Sequence, residues 1–132
     1  MSGTPLYILL CSAEHEKIQM AAMLASVAAV SERPVTVFVS MGALPVFRRG
    51  AEPDEVYQGG AFSQVLRDKG APDALTLFGQ GRMLGDLSML ACSMALDIME
   101  WDLDDLTEDL FDEAGGLTRF LDDAENGQMI TL

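Results

Sequence analysis

The 132-residue sequence predicts an α/β protein with a parallel, Rossmann-like or flavodoxin-like sheet of about five strands and helices on both faces. Residues 6–11, 35–40 and 87–92 are short apolar runs without alternation, the pattern of strands buried on both faces. Segments with helical periodicity separate these runs, and alternating strands and helices favour a parallel sheet. The length and the lack of repeats or linkers predict one domain, residues 1–132.

The first 40 residues predict a strand–helix–strand unit with the usual right-handed crossover. Ser12 is a candidate cap for a helix over residues 14–30, which carries Glu14 near its positive end. That helix is apolar nearly all round, so we expect it to be buried on more than one side. In so small a domain this favours a homo-oligomer, with a trimer preferred and a hexamer as the alternative. Either this helix or the loop over residues 41–60 is expected at the contact. One stripe of the helix is made by Ile18, Ala21, Ala22, Ala25, Ala28 and Ala29, and the other side is apolar as well, with Met20, Met23, Leu24 and Val27.

The remaining elements are shorter. Residues 41–60 contain prolines and glycines and are interpreted as a long irregular loop. Further helices are predicted over residues 61–69, 73–84, 93–99, 103–110 and 117–125. A brief edge strand within residues 112–115 and a final strand over residues 128–132 complete the sheet.

The charge is strongly negative and uneven. The net charge is −13, and residues 97–125 hold 12 acidic side chains against one basic one, Arg119. Such a surface repels phosphate backbones, so nucleic acid is not an expected partner. The acidic segment is either a solvated face or a docking surface for a partner with a basic surface. Crowding in this segment is expected to raise the pKa values of its carboxyl groups; the alternative is that internal hydrogen bonds or helix caps engage them and lower their pKa values.

The sequence predicts a cytoplasmic protein. The start lacks the basic residues and long apolar run of a signal peptide, and no stretch reaches the roughly 18 apolar residues of a membrane span. Contact with a membrane is therefore expected at the periphery at most. Two cysteines 81 positions apart do not form a secreted disulfide framework, and in a reducing compartment they are free thiols or a transient redox pair.

Both cysteines fall at the carboxyl end of a predicted strand, where parallel sheets carry their chemistry. With the strand order 2-1-3, Cys11 and Cys92 would lie on neighbouring strands and their thiols could be close. Cys92 also precedes a helix, whose positive end stabilises a thiolate, whereas Glu14 and Glu16 disfavour one at Cys11. The alternative is that both are small buried apolar residues. The sequence has no CxxC motif.

Other residues around these strand ends are candidates for ligand binding. His15, the single histidine, could act as a base for Cys92 or join both cysteines in a soft-metal set, or it could simply face solvent. No metal site is assigned. No GxGxxG or Walker A motif occurs, so no cofactor is expected. The candidate ligand-binding residues are Ser12, His15, Met41, Ser93, Gly115 and Gly116.

Residues 89–99, 105–110 and 113–125 resemble the DsrE/DsrF-like proteins, in particular their peroxiredoxin-like group. The opening strand, helix and strand over residues 6–31 and 35–44 are also similar to that family. The resemblance implies a parallel α/β fold in a compact oligomer and matches Cys92 to the family's cysteine at the end of the third strand. In sulfur-relay members that cysteine region carries a persulfide. The sequence lacks the PxxxTxxC pattern of peroxidases.

Two functions therefore follow as hypotheses. In the first, the protein is a sulfur carrier or sulfurtransferase-like protein with Cys92 as the persulfide carrier, and Cys11 resolves the persulfide as a disulfide or shapes the pocket. In the second, it is a non-enzymatic oligomeric module that binds a small ligand or a metal in the same cleft.

Overall fold

The structure is a computed structural model that describes residues 3–132, and it confirms the predicted five-stranded, all-parallel sheet. The first two residues of the predicted domain lie outside the described residues. The strands begin and end within one residue of the predicted bounds. They are β1 (Leu6–Leu10), β2 (Val35–Val39), β3 (Leu87–Cys92), β4 (Glu113–Gly115) and β5 (Gln128–Thr131).

The order of the strands differs from the expected one. The sheet runs β4-β3-β2-β1-β5, so β2 lies between β1 and β3 and the expected order 2-1-3 is wrong. Three successive crossovers move in one direction, and only the last one returns to the far side of β1. Apolar runs identify strands, but they carry no information about the direction in which each crossover moves. The brief strand β4 lies at an edge, as predicted.

The longer helices also match the predicted segments. They are α1 (His15–Val30), α3 (Ala61–Asp68), α4 (Ala74–Leu84), α5 (Ser93–Met99) and α6 (Leu117–Ala124). A further short helix, α2 (Pro53–Val56), lies in the segment predicted to be irregular. The six residues of the first stripe named on α1, Ile18 to Ala29, are all buried.

Two segments differ from the prediction. Residues 41–60 are not irregular throughout, because Met41–Phe47 forms a 3₁₀ helix that buries Leu44 and Phe47 in the core, and α2 follows it. The predicted helix over residues 103–110 is only a 3₁₀ turn at Leu103–Asp105. A capping box between Asp102 and Asp105 closes that turn, and Asp109 has a φ of 61°, which a continuing helix does not tolerate.

Helices cover both faces of the sheet, as predicted. On one face, Phe120 of α6 meets Tyr7 at 5.8 Å and Phe38 at 5.1 Å between ring centroids. Side chains alternate along a strand, so Ile8 points to the opposite face, where α1 and α4 pack. These two helices approach closely at Gly81, where a Cβ atom would lie 3.2 Å from the Cα of Ser26.

Helix α1 leaves an apolar stripe on its outer side. Met20, Met23, Val27 and Val30 are between 45% and 66% exposed. Their spacing places them on one face of the helix. Among residues 3–132, none of the helices is both long enough and apolar enough to cross a bilayer.

Candidate functional site

At the carboxyl ends of β1, β2, β3 and β4, four residues form a row: Cys11, Ser40, Cys92 and Gly115. Cys92 pairs with Gly115 in the sheet. Leu10, Val39 and Ala91, which precede Cys11, Ser40 and Cys92, also pair in register with one another. The ladder continues one residue further, because the Ser40 N–H donates to Leu10 O at 3.0 Å and the Cys11 N–H donates to Leu132 O at 2.8 Å. By strand alternation, both cysteines share the face that Tyr7, Phe38 and α6 occupy.

The two cysteines are not strand neighbours. One strand separates them, which places their Cα atoms about 10 Å apart at the usual strand spacing. A disulfide needs Cα atoms closer than about 7 Å. The expected direct approach of the thiols is therefore wrong, and Cys11 could form a disulfide with Cys92 only after backbone movement. Both thiols are free.

The environments of the two thiols differ. Cys92 is 6% exposed, whereas Cys11 is only partly buried. Burial raises the pKa of the Cys11 thiol, and negative charge on Cys92 raises it further. From the sequence, Glu14 and Glu16 are expected to disfavour a thiolate at Cys11. The pKa of Cys11 is indeed raised, but the causes are burial and Cys92.

Four further candidates lie one residue beyond the row: Ser12, Met41, Ser93 and Gly116. Met41 is 55% exposed and has a φ of 49°, a left-handed conformation that side chains seldom adopt. The Ser12 hydroxyl accepts a hydrogen bond from the Glu14 N–H at 3.0 Å, in a turn before α1. Ser12 is therefore not the cap of α1, whose N-cap is Glu14.

The segments after β3 and β4 start two helices. Cys92 is itself the N-cap residue of α5, and Ser93 is the first residue of that helix. Gly115 ends β4 beside Cys92, and Gly116 is the N-cap of α6 with a φ of −97°. The expected tight turn at these glycines therefore requires no left-handed conformation at Gly116.

An acidic cavity lies beside the start of α5. It has a volume of about 460 Å³, and Ser93 and Ala114, which are chain neighbours of Cys92 and Gly115, contribute to its lining. Asp97, Asp102 and Asp104 also line it. Any molecule that approaches Cys92 from this side meets negative charge.

His15 lies in a different cavity. Its backbone N–H donates to Gln58 O at 2.8 Å, and its ring centroid lies 4.8 Å from that of Tyr57. Burial lowers the pKa of His15, and the nearby charge of Arg67 lowers it further, against smaller opposite effects of Asp73 and Glu16. Neither cysteine lines this cavity.

The structure therefore supports neither role considered for His15, a base for Cys92 or a metal ligand beside the two cysteines. It is 5% exposed, so the alternative of a solvent-facing side chain is also wrong. Within residues 3–132, no group of three His, Cys, Asp or Glu side chains is arranged to hold a metal ion, and the set Cys11, Cys92 and His15 is not formed.

Several carboxylates of the acidic segment have partners. Asp112 accepts hydrogen bonds from both terminal nitrogens of Arg82, at 2.6 and 3.1 Å, and from the Met89 N–H at 2.7 Å. Burial acts to raise the pKa of Asp112, but these bonds outweigh it and hold the pKa below the usual value. For Asp112 the expectation that crowding raises the pKa is therefore wrong.

Comparison with known proteins supports the fold alone. No family model matches the chain, and no curated protein matches it. Solved structures do match; one is described as a protein of unknown function, MTH1491, from Methanobacterium thermoautotrophicum. The chain is 16% identical to that protein with a TM-score of 0.64, over 98% of this chain and 100% of the other. At that identity, the likeness confirms the α/β fold.

Proposed function

We propose that this protein is a cysteine-based sulfur carrier of the DsrE/DsrF-like type, in which Cys92 holds the transferred sulfur atom. The observation that carries the proposal is the position of Cys92. It ends an interior parallel strand, stands at the N-cap position of α5 and lies on the same level and face of the sheet as a second cysteine. Ligand and catalytic sites of parallel α/β proteins lie at such strand ends.

The proposed reaction needs no resident cofactor. The Cys92 thiolate attacks the outer sulfur of a donor persulfide, R–S–SH. A new S–S bond forms on Cys92, the S–S bond of the donor breaks, and the donor leaves as a thiolate. In the second step an acceptor thiolate takes the outer sulfur from Cys92, whose thiolate is regenerated, so each step conserves the number of electrons.

Cys11 has a supporting role in this proposal. The estimated separation from Cys92 does not suit a resolving disulfide in the resting backbone. Its raised pKa keeps Cys11 protonated near neutral pH, so it does not compete with Cys92 for the donor. We therefore assign Cys11 to the wall of the site, and Cys92 to the chemistry.

The acidic cavity beside α5 favours a partner protein with a basic surface. Asp97, Asp102 and Asp104 form a negative entrance next to Ser93. A sulfur donor or acceptor protein with a basic surface would be drawn to this entrance, and a nucleic acid would be repelled. We propose that the exchange occurs in the cytoplasm, where free thiols persist.

The exposed stripe on α1 supports assembly of several copies. Met20, Met23, Val27 and Val30 present a continuous apolar face, and such faces usually mark interfaces. We propose a homo-oligomer, preferably a trimer, with α1 at the contact.

Loading with sulfur tests the proposal. Wild type, Cys92→Ser and Cys11→Ser are treated with polysulfide, and the mass of each intact protein is measured. We expect wild type and Cys11→Ser to gain about 32 Da, one sulfur atom, and Cys92→Ser to gain nothing. Loading of Cys92→Ser at the wild-type level would contradict the proposal. Absence of loading in all three would favour the alternative of a non-enzymatic binding module.

A further inference from the structure

A second cavity lies between the N-terminal part of α1, α2, α3 and the start of α4. Its volume is about 310 Å³, at the small end of the range for ligand pockets, about 300–1,000 Å³. His15, Gln19, Tyr57, Arg67 and Asp73 contribute to its lining.

Buried polar groups without partners gather at this cavity. His15, Tyr57 and Ser63 are 5%, 9% and 3% exposed, and His15 Nδ1, the Tyr57 hydroxyl and Ser63 Oγ have no hydrogen-bond partner. His15 and Tyr57 line the cavity directly. Buried polar groups are nearly always hydrogen-bonded, and leaving one unpaired destabilises the fold. Such groups on a cavity wall therefore point to a bound molecule.

Ser63 and His15 both pack against Gly59. A Cβ atom at Gly59 would lie 2.7 Å from Ser63 Oγ and 3.4 Å from His15 Cβ, so the lack of a side chain at Gly59 lets both residues lie close to it. The neighbouring polar groups are already engaged. Gln19 Nε2 donates to Pro72 O at 2.9 Å, and the Arg67 guanidinium lies 5.8 Å from the centre of the Tyr57 ring.

The charges at the cavity select the class of ligand. Arg67 is its single cationic residue among the described lining residues, and it forms an ion pair with Asp54. Asp73 caps α4 by accepting a hydrogen bond from the Thr76 N–H at 3.2 Å. An anion would therefore be repelled by Asp54 and Asp73, and the Arg67 guanidinium that could attract it is already paired. A cation would find both carboxylates already engaged, Asp54 with Arg67 and Asp73 with the Thr76 N–H.

We propose that this cavity binds a small, uncharged molecule that carries an amide or a similar donor–acceptor group, held by His15 Nδ1 and the Tyr57 hydroxyl with Ser63 behind them. Both ring groups are neutral at physiological pH. Burial lowers the pKa of His15 and raises the pKa of Tyr57, so each offers a neutral hydrogen-bonding atom. The site is separate from the cysteine row and does not depend on the chemistry at Cys92.

Three probes of the same shape test the charge of the ligand: benzamide, benzoate and benzamidine. Each is titrated to millimolar concentration into the ¹⁵N-labelled full chain, and amide shifts are recorded by NMR. We expect benzamide to shift amides around the cavity and to bind at least about five times more tightly than the two charged probes. Absence of benzamide shifts at the cavity, or tighter binding of either charged probe, would overturn the assignment.

The two tyrosines provide a matched pair of variants. Tyr57→Phe removes only the unpartnered hydroxyl, and we expect it to weaken benzamide binding roughly five- to tenfold. Tyr7→Phe removes a hydroxyl on the opposite face of the sheet and should leave binding unchanged. Without probe, Tyr57→Phe should unfold in urea at the wild-type midpoint or above it, because no internal hydrogen bond is lost. A lower midpoint, or unchanged benzamide binding, would contradict the proposal.

Discussion

Cys11 and Cys92 lie at the same level and on the same face of the sheet, with Ser40 of the intervening strand between them. In this arrangement negative charge on Cys92 raises the pKa of Cys11. The backbone at rest nevertheless keeps the two thiols too far apart for a disulfide. The two thiols also differ in their surroundings, because the pKa of Cys11 is raised and Cys92 occupies the N-cap position of the following helix.

The electrostatic contact between the thiols predicts a dependence of one on the other. Cys92→Ser removes a negative charge that raises the pKa of Cys11, so Cys11 should lose its proton at lower pH and react faster with iodoacetamide near pH 8.5. The measurement is the pH profile of Cys11 alkylation in the two proteins. An unchanged profile would mean that the two thiols do not interact.

Asp112 predicts how stability depends on pH. Its folded pKa lies below its unfolded pKa, so its contribution is present above the ordinary value of 3.8 and is lost as pH falls through the folded pKa. Asp112→Asn should therefore lower the free energy of unfolding at pH 7 by about 1 kcal/mol, since the carboxylate is partly exposed. Urea unfolding at pH 7 and pH 3 measures this difference, which should shrink at pH 3. Asp122→Asn, at an exposed site on α6, is the control; an equal loss there would contradict the role of the Arg82 contact.

Two glycines near α4 predict opposite effects of the same substitution. A Cβ at Gly85 would lie 2.3 Å from the carbonyl oxygen of Ala29, so Gly85→Ala must displace backbone and should cost about 3 kcal/mol. Gly79 lies inside α4 with open space around it, so Gly79→Ala should stabilise the protein by about 0.5–1 kcal/mol. Thermal unfolding of both variants checks the packing of α4 against α1. A Gly85→Ala variant as stable as wild type would contradict the close approach of Gly85 to Ala29.

The apolar stripe of α1 predicts the size of the protein in solution. Light scattering at micromolar concentration should give a multiple of the 14.3 kDa chain mass, three times that mass for a trimer. Val27→Lys places a charge in the stripe and should shift the mass toward 14.3 kDa, whereas Val65→Lys, on α3, should not. A wild-type mass of 14.3 kDa would exclude assembly through this face.

Local patterns predicted the elements well, because burial on both faces requires uninterrupted apolar runs such as Leu87–Cys92 and an inward stripe such as that of α1. They did not predict that β2 lies between the two cysteines, because strand order depends on the direction of each crossover. Tyr57 and Ser63 were also missed. Tyr57 packs on the His15 ring, and Ser63 packs with His15 against Gly59, through contacts between segments more than 40 residues apart, which local sequence patterns do not encode.

The central claim is that Cys92 receives and releases a sulfur atom, and peptide-resolved mass spectrometry tests it most directly. The protein is treated with a limiting amount of polysulfide, divided, and half is incubated with reduced glutathione before alkylation and digestion. The account predicts a gain of about 32 Da on the peptide containing Cys92, none on the peptide containing Cys11, and loss of the added mass after glutathione. An added sulfur on Cys11, on neither cysteine, or on Cys92 but resistant to excess glutathione would contradict it.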